Sequence, residues 1–171
     1  MARLEELATF SDEEGRLTRL YLSPAHGRAM RQIAAWMTAA GMAARSDPVG
    51  NVIGRYEARE PGAPALLIGS HIDTVVDAGR YDGALGVLAG IAAVAALQEA
   101  GERLPVALEM IAFGDEEGVR FPTTLTGSRA LAGTLDPGTL EARDGEGVSL
   151  REALAAAGCD GDAFASCARR P

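Results

Sequence analysis

Five ionisable residues that could hold metal ions lie in two short polar clusters of the sequence. The first cluster contains His71, Asp73 and Asp82, and the second contains the adjacent acids Glu116 and Glu117. His71 and Asp73 are separated by one residue, so in extended backbone their side chains leave on the same side. An imidazole that binds a metal through one nitrogen usually donates its other N–H to a carboxylate. The spacing therefore predicts a metal-binding histidine and a carboxylate that orients it.

The other three acids suit a site with more than one cation. Asp82 lies in a glycine-flanked turn before a long apolar segment, where the N–H groups of a helix start can aim a carboxylate that bridges two cations. Glu116 and Glu117 point different ways in regular backbone, which suits one metal ligand and one free base. Two divalent ions about 3.5–4 Å apart would polarise a carbonyl and acidify a water between them, leaving a glutamate to carry the proton to a leaving nitrogen.

Taken singly, each of these residues has a simpler structural explanation. A lone histidine is more often a hydrogen-bonded structural residue, an aspartate before a helix is more often only an N-cap, and paired glutamates are usually solvated. The five residues instead occur together and directly after apolar segments, which favours the functional interpretation. His26 has no acidic or histidine neighbour at ligand spacing, and we expect it on the surface of a helix.

The composition excludes several other kinds of site. All 16 basic residues are arginine, so the chain has neither a Schiff-base lysine nor the lysine of a P-loop. Its two histidines cannot form a three-histidine zinc site, so any metal must use carboxylates as well. The net charge of −8 argues against a nucleic-acid partner, which needs a basic face.

The ends of the sequence bear on its location in the cell. Residues 1–6 include two glutamates, and no apolar run approaches the roughly 18–20 residues that span a bilayer, so we expect a cytoplasmic protein with no membrane segment. Cys159 and Cys167 lack zinc-knuckle spacing and are expected to be incidental thiols.

The segments around the clusters alternate between extended and helical patterns, which is typical of an α/β domain. The predicted elements are strands at 52–56, 65–69 and 105–113, and helices at 24–40, 83–100, 128–131 and 149–157. The run at 65–69 is apolar on both faces, which predicts a strand buried inside a parallel or mixed sheet. Each polar cluster follows a predicted strand, where open α/β sheets bind their ligands.

At these clusters the sequence resembles the hydantoinase/carbamoylase group of the carboxypeptidase G-like family of two-metal amidohydrolases. That group includes allantoate amidohydrolase, N-carbamoyl-L-amino-acid hydrolase and β-ureidopropionase. The matching blocks are Gly69–Val75, Gly79–Val87 and Ala112–Phe121, with shorter agreement at 18–20, 23–25, 50–51 and 126–130. The resemblance therefore extends along nearly the whole chain.

The resemblance implies a role for each candidate residue. His71 would be a terminal ligand of one metal, Asp82 would bridge both metals, and Glu117 would be a terminal ligand of the other. Glu116 would be the general base and acid, and Asp73 would orient His71. The implied cofactors are two divalent ions per complete subunit, Zn²⁺ or Mn²⁺, with Co²⁺ or Ni²⁺ as alternatives. The implied enzyme is a homodimer that hydrolyses a non-peptide C–N bond in a small ureido or N-carbamoyl compound.

The family fold is a three-layer α/β/α, metallo-aminopeptidase-like catalytic domain interrupted by a smaller lid and dimerisation domain. Family members are much longer and take two further histidine ligands that this sequence lacks. We therefore expect residues 1–171 to form the N-terminal part of the catalytic domain, without the lid, and to be inactive in isolation. Two alternatives stay open, namely an aminoacylase or dipeptidase with the same site and an inert or weakly metal-binding domain. The position of the Gly79–Gly83 block close behind His71 favours the carbamoylase branch over the peptidases.

Overall fold

Helices and strands alternate along the chain, as the sequence predicts. The computed structural model describes residues 1–169. The helices are α1 (Ala2–Ala8), α2 (Pro24–Ala39), α3 (Ala84–Glu99), α4 (Thr126–Leu131) and α5 (Leu150–Ala156). The strands are β1 (Ala43–Ser46), β2 (Val52–Tyr56), β3 (Ala65–His71) and β4 (Ala107–Phe113). Two 3₁₀ segments follow, at Pro137–Glu141 and Gly161–Cys167.

The four strands form one mixed sheet in the order β1-β2-β4-β3. β1 pairs antiparallel with β2, and β2 pairs antiparallel with β4. β3 and β4 run parallel, and α3 forms the crossover between them, because parallel neighbours cannot be joined by a tight turn. The α/β class predicted from the sequence is confirmed.

Helices α1, α2 and α3 build the main core on one face of the sheet. Its centre contains Ile33 and Met37 of α2, Val87 and Ile91 of α3, and Met110 of β4, all fully buried. Burying a side chain of this kind stabilises the fold by about 1.5–3 kcal/mol. This apolar layer fixes β3 and β4 relative to α3. The two polar clusters follow these strands, so the core also fixes where the clusters lie.

The opposite face of the sheet is covered by α4 and by the end of the described chain. Ile53 and Ile111 pack there against Leu131 of α4. Glu109, the one acid of β4, faces Arg55 of the neighbouring strand, with the carboxylate 3.1 Å from the guanidinium. Helices therefore lie on both sides of the sheet, as the predicted three-layer arrangement requires.

β3 lies at the edge of this sheet, so the expectation of a strand buried inside the sheet was wrong. Within residues 1–169, β3 pairs with β4 alone, and Leu66 and Leu67 are 56% and 43% exposed. An apolar run indicates that both faces of a strand favour burial. It does not indicate how many strands flank β3 or what covers its faces, and within residues 1–169 β3 has one neighbouring strand.

The helix ends follow their capping residues closely. Ser23 caps α2 by accepting a hydrogen bond from the main-chain N–H of His26, and Pro24 occupies the first turn. Ser149 and Glu152 form the predicted capping box of α5. The short elements α1 and β1 were not predicted, and α4 starts at Thr126 rather than at residue 128.

His26 is completely buried, so the expectation that it lies on the helix surface was wrong. It precedes Met30 by one helical turn and therefore shares the buried face of α2. Its ring meets the Tyr21 ring edge-on, with 5.5 Å between the ring centres.

Two smaller expectations concern the thiols and the membrane. Cys159 and Cys167 are both free thiols. Across residues 1–169, every helix is too short or too polar to cross a bilayer.

Candidate metal centre

The parallel pairing of β3 and β4 brings the two polar clusters together. His71 at the end of β3 lies opposite Phe113 at the end of β4, and Ile72 extends the pairing by donating to the Phe113 carbonyl at 3.2 Å. The chain after each strand therefore leaves the sheet at the same edge. This is the place where open α/β sheets bind ligands.

One imidazole and three carboxylates converge at this edge. His71, Glu116 and Glu117 each offer a ligand atom, and these atoms all lie within 4.8 Å of one another. The His71 Nε2 atom is 3.7 Å from an oxygen of Asp82 and 3.8 Å from an oxygen of Glu116. The Asp82 and Glu116 side chains are 60% and 43% exposed, so water and small solutes reach the group.

Asp73 contacts both clusters, but through atoms other than the spacing predicts. The His71 Nδ1 atom is 3.0 Å from the main-chain oxygen of Asp73 and 3.8 Å from its carboxylate. The carboxylate instead accepts hydrogen bonds from the main-chain N–H groups of Glu116 and Glu117, at 3.2 and 3.1 Å. Asp73 therefore orients the imidazole with its carbonyl and the acidic residues with its side chain.

The electrostatics of the group favour a bound cation. Burial raises the pKa of Glu117, and the neighbouring carboxylates of Glu116, Asp82 and Asp73 raise it further, while His71 opposes them. Burial also raises the pKa of Asp73, against the two main-chain N–H donors. A divalent ion would stabilise the ionised carboxylates. Imidazole and carboxylate ligands suit Zn²⁺ and Mn²⁺, so the donor set fits the implied metals.

Asp115 shapes the acidic loop, which we define as residues 114–118. Its backbone is left-handed, with φ of 58°, and its carboxylate accepts a hydrogen bond from the Thr126 hydroxyl. The residue is fully buried, its second carboxylate oxygen has no hydrogen-bond partner among residues 1–169, and burial raises its pKa to about 7. No role for Asp115 could be predicted, because nothing in a run of three acids separates the buried one from the two that face the site.

Gly83 allows the loop that carries Asp82 to approach His71. Its φ is +61°, and a Cβ atom there would lie 2.5 Å from the His71 carbonyl oxygen and 2.6 Å from the imidazole. The hydroxyl of Ser70 donates to the Gly83 carbonyl at 2.9 Å, which ties the loop back to β3. From the sequence, Gly83 was predicted to close the turn after Asp82 and to begin the helix at 83–100, and the signal for a further role was its place directly after Asp82.

The chain is similar to a known family and to several curated enzymes. The family model of peptidase family M28 matches residues 51–148, more than half of the chain. The chain is 45% identical over 170 residues to an N-carbamoyl-L-amino acid amidohydrolase of Geobacillus stearothermophilus, covering 99% of the chain and 42% of that relative. It is 47% identical over 156 residues to an allantoate deiminase of Arabidopsis thaliana, covering 90% of the chain and 30% of that relative. The chain thus spans less than half the length of these relatives.

Solved structures agree with the sequence relatives. A hydantoinase/carbamoylase family amidase from Burkholderia ambifaria has a TM-score of 0.87 at 37% identity, covering 94% of this chain and 40% of that one. The structure of AtUAH in complex with glyoxylate has a TM-score of 0.91 at 35% identity, covering 99% and 42%. The names of the Geobacillus relative and of the Burkholderia amidase match the hydantoinase/carbamoylase group that the signature blocks led us to expect.

Proposed function

Because the chain belongs to peptidase family M28 and is similar to carbamoylases along nearly its whole length, we propose that it forms part of the active site of a metal-dependent amidohydrolase. The whole enzyme would hydrolyse a C–N bond in a ureido or N-carbamoyl compound, such as allantoate or an N-carbamoyl-L-amino acid. The observation that carries the proposal is the convergence of His71, Glu116 and Glu117 where β3 and β4 end.

The proposed cofactor is a pair of divalent ions, Zn²⁺ or Mn²⁺, with Co²⁺ or Ni²⁺ as alternatives. His71, Asp82 and Glu117 would hold them, since their ligand atoms face one another and include both nitrogen and oxygen donors. When bound, the ions would polarise the substrate carbonyl and make an attacking water more acidic.

Glu116 is proposed to move the proton. Its carboxylate lies 3.8 Å from the His71 ring and is 43% exposed, so it can reach both the proposed metal ligands and a water. It takes a proton from the attacking water as the new C–O bond forms, and it returns that proton to the departing nitrogen as the C–N bond breaks. Asp73 keeps Glu116 and Glu117 in a fixed relation by binding both of their main-chain N–H groups.

A second candidate is an acyl-amino-acid hydrolase or peptidase that uses the same site. The observation that favours it is the match to a family named for peptidases. The Gly79–Gly83 block close behind His71 favours the carbamoylase instead, as does the agreement with relatives named for carbamoyl substrates.

Location and assembly are also part of the proposal. A cytoplasmic location is part of the proposal, and the resemblance to the carbamoylase group supports a homodimer of the whole enzyme. The net charge of −8 supports a small-molecule substrate rather than nucleic acid.

The test measures metal content and hydrolysis on this chain and on a longer polypeptide that contains it. We expect this chain to bind a divalent ion weakly and to release no product. The longer polypeptide should hydrolyse allantoate or an N-carbamoyl amino acid and lose this activity in EDTA. Preferential cleavage of acetylated amino acids or dipeptides would support the second candidate. Turnover that persists after complete metal removal would refute both.

A further inference from the structure

Two stretches that the metal chemistry does not use, Gly50-Asn51 and Thr126-Gly127, meet behind the acidic loop. The Asn51 side chain is fully buried there. Its oxygen accepts a hydrogen bond from the main-chain N–H of Gly114 at 3.1 Å, and its nitrogen donates to the carbonyl of Gly127 at 3.1 Å. One amide group therefore joins the first residue of the acidic loop to the start of α4.

Asp47 fixes the direction of this amide. One Asp47 oxygen accepts from the Asn51 nitrogen at 2.7 Å, and the other accepts from the main-chain N–H groups of Val49 and Asn51, at 3.1 and 2.9 Å. Asp47 and the Gly127 carbonyl can only accept, whereas the Gly114 N–H can only donate. A single orientation of an amide satisfies all three partners, and a carboxylate at position 51 satisfies only one.

The residues around these hydrogen bonds are closely packed. Gly127 donates to the carbonyl of Gly114 at 3.2 Å, and a Cβ atom on Gly127 would overlap the Asn51 side-chain oxygen. A Cβ atom on Gly114 would lie 2.6 Å from the Tyr21 ring. Gly114, the first residue of the acidic loop, is therefore held in close contact with its neighbours on both sides.

Thr126 holds the next residue of the loop. Its hydroxyl donates to the carboxylate of Asp115, whose backbone is left-handed. The two residues that follow, Glu116 and Glu117, are then bound through their main-chain N–H groups by Asp73. Four consecutive residues of the loop are thus held by buried side chains from outside it.

We propose that Asn51 and Thr126 are positioning residues of the metal centre, which fix the main chain at Gly114 and Asp115 and thereby aim Glu116 and Glu117 at His71. This inference rests on the proposed function, because the aim of the two glutamates has a chemical purpose only in a metal site. Neither residue is among the proposed metal ligands or the proposed base.

The test uses the 171-residue chain and two measurements. Amide hydrogen exchange at Glu116 and Glu117 reports how firmly the loop is held, and calorimetric titration with Zn²⁺ or Mn²⁺ reports the metal affinity. The variants are Asn51→Asp, which keeps the shape but loses two of three hydrogen bonds, and Thr126→Val, which loses only the hydroxyl. Thr126→Ser keeps the hydroxyl and serves as the conservative rescue.

We expect exchange at Glu116 and Glu117 to accelerate at least about tenfold in Asn51→Asp and Thr126→Val. Metal affinity should fall on the order of 10- to 100-fold, as it does when residues that orient metal ligands are lost. Thr126→Ser should retain both properties. The matched control is Val94→Ala, a buried position in α3, which should lower the Tm without a selective change at the loop.

Unchanged exchange and affinity in both variants would overturn the inference, and so would a loss of Tm like that of Val94→Ala with no selective change at the loop. If Asn51→Asp does not fold, the comparison of Thr126→Val with Thr126→Ser decides the question. A wild-type chain that binds neither ion would count against the proposed function, whereas the exchange rates still decide whether the two side chains hold the loop.

Discussion

The carboxylate of Asp73 accepts a hydrogen bond from the main-chain N–H of Glu117, with 3.1 Å between oxygen and nitrogen. The other Asp73 oxygen accepts from the N–H of Glu116, and the Asp73 carbonyl faces the His71 ring. One residue after β3 therefore sets the position of the loop after β4. Asp73 thus connects the loop after β3 to the loop after β4, which a hydrogen bond between His71 and a carboxylate alone would not do.

Replacement of Asp73 by asparagine should damage the site in spite of its similar size. An amide can accept one of the two N–H groups but presents its own NH₂ to the other, and an unsatisfied buried group costs about 1–3 kcal/mol. We expect this loss in urea unfolding, together with weaker Zn²⁺ binding in calorimetry. Asp77→Asn removes one charge from an exposed position of the same loop and should change neither. Wild-type zinc affinity in Asp73→Asn would contradict the role given to this carboxylate.

Substitution of Gly83 tests the close approach of the Asp82 loop to His71. A Cβ atom in Gly83→Ala would collide with the His71 main chain and ring, and the φ of +61° disfavours alanine in any case. We expect metal binding by calorimetry to be lost and the Tm to fall. Gly79 lies in the same loop with open space around it, so Gly79→Ala is the matched control and should bind metal normally. Equal metal affinity in the two variants would show that the approach at Gly83 is dispensable.

Glutamine substitutions separate the roles proposed for Glu116 and Glu117. Both keep the side-chain length and remove the charge, so a base and a ligand should respond differently. In a longer polypeptide that hydrolyses the substrate, Glu116→Gln should retain its metal and lose about 100- to 10,000-fold in kcat. Glu117→Gln should lose metal, as measured by elemental analysis. Near-normal turnover of Glu116→Gln with metal bound would show that another group carries the proton.

The elements that could be predicted, among them α2 and α3 of the main core but not α1, are those that local chemistry marks. The Ser23-Pro24 cap, the capping box of Ser149 and the apolar runs of β2, β3 and β4 each act within a few residues of the chain. β1 has four residues, none of them buried, so it shows no alternation of buried and exposed positions. The edge position of β3 depends on which strands pair, and no local pattern encodes that.

The candidate ligands could be found because few residue types bind metals, whereas their supports are ordinary polar residues and glycines. Asn51 contacts Gly114 across 63 positions of sequence, and Asp73 contacts Glu117 across 44. Sequence spacing carries no information about such pairs without the fold that joins them. The signature-block resemblance marked positions 50–51 and 126–130 but gave no reason for them, and the hydrogen bonds of Asn51 and Thr126 supply one.

His26 makes the stability of the fold sensitive to acid. The residue is fully buried, and neither ring nitrogen has a hydrogen-bond partner in the described part of the chain. Burial, together with the charges of Arg19 and Arg120, lowers the pKa of His26 from 6.5 to about 3. Tyr21, whose ring packs against His26, is also buried. Burial raises the pKa of Tyr21, so this residue stays uncharged across the acidic pH values at which His26 titrates.

Between pH 6.5 and about 3, the unfolded chain takes up a proton on His26 that the folded chain excludes. The contribution of His26 to stability is therefore complete above pH 6.5 and falls by up to about 1.4 kcal/mol for each pH unit below it. His26→Phe keeps a ring against Tyr21 and cannot bind a proton, so its free energy of unfolding should fall less between pH 7.5 and 4.5 in urea titrations. Trp36→Phe, another buried aromatic of α2, changes packing without removing a titrating group and should keep the wild-type pH slope. If the free energy of unfolding of His26→Phe and of the wild type changed equally with pH, another group would be responsible for the acid sensitivity. His26 is the one proton-binding group that the variant removes.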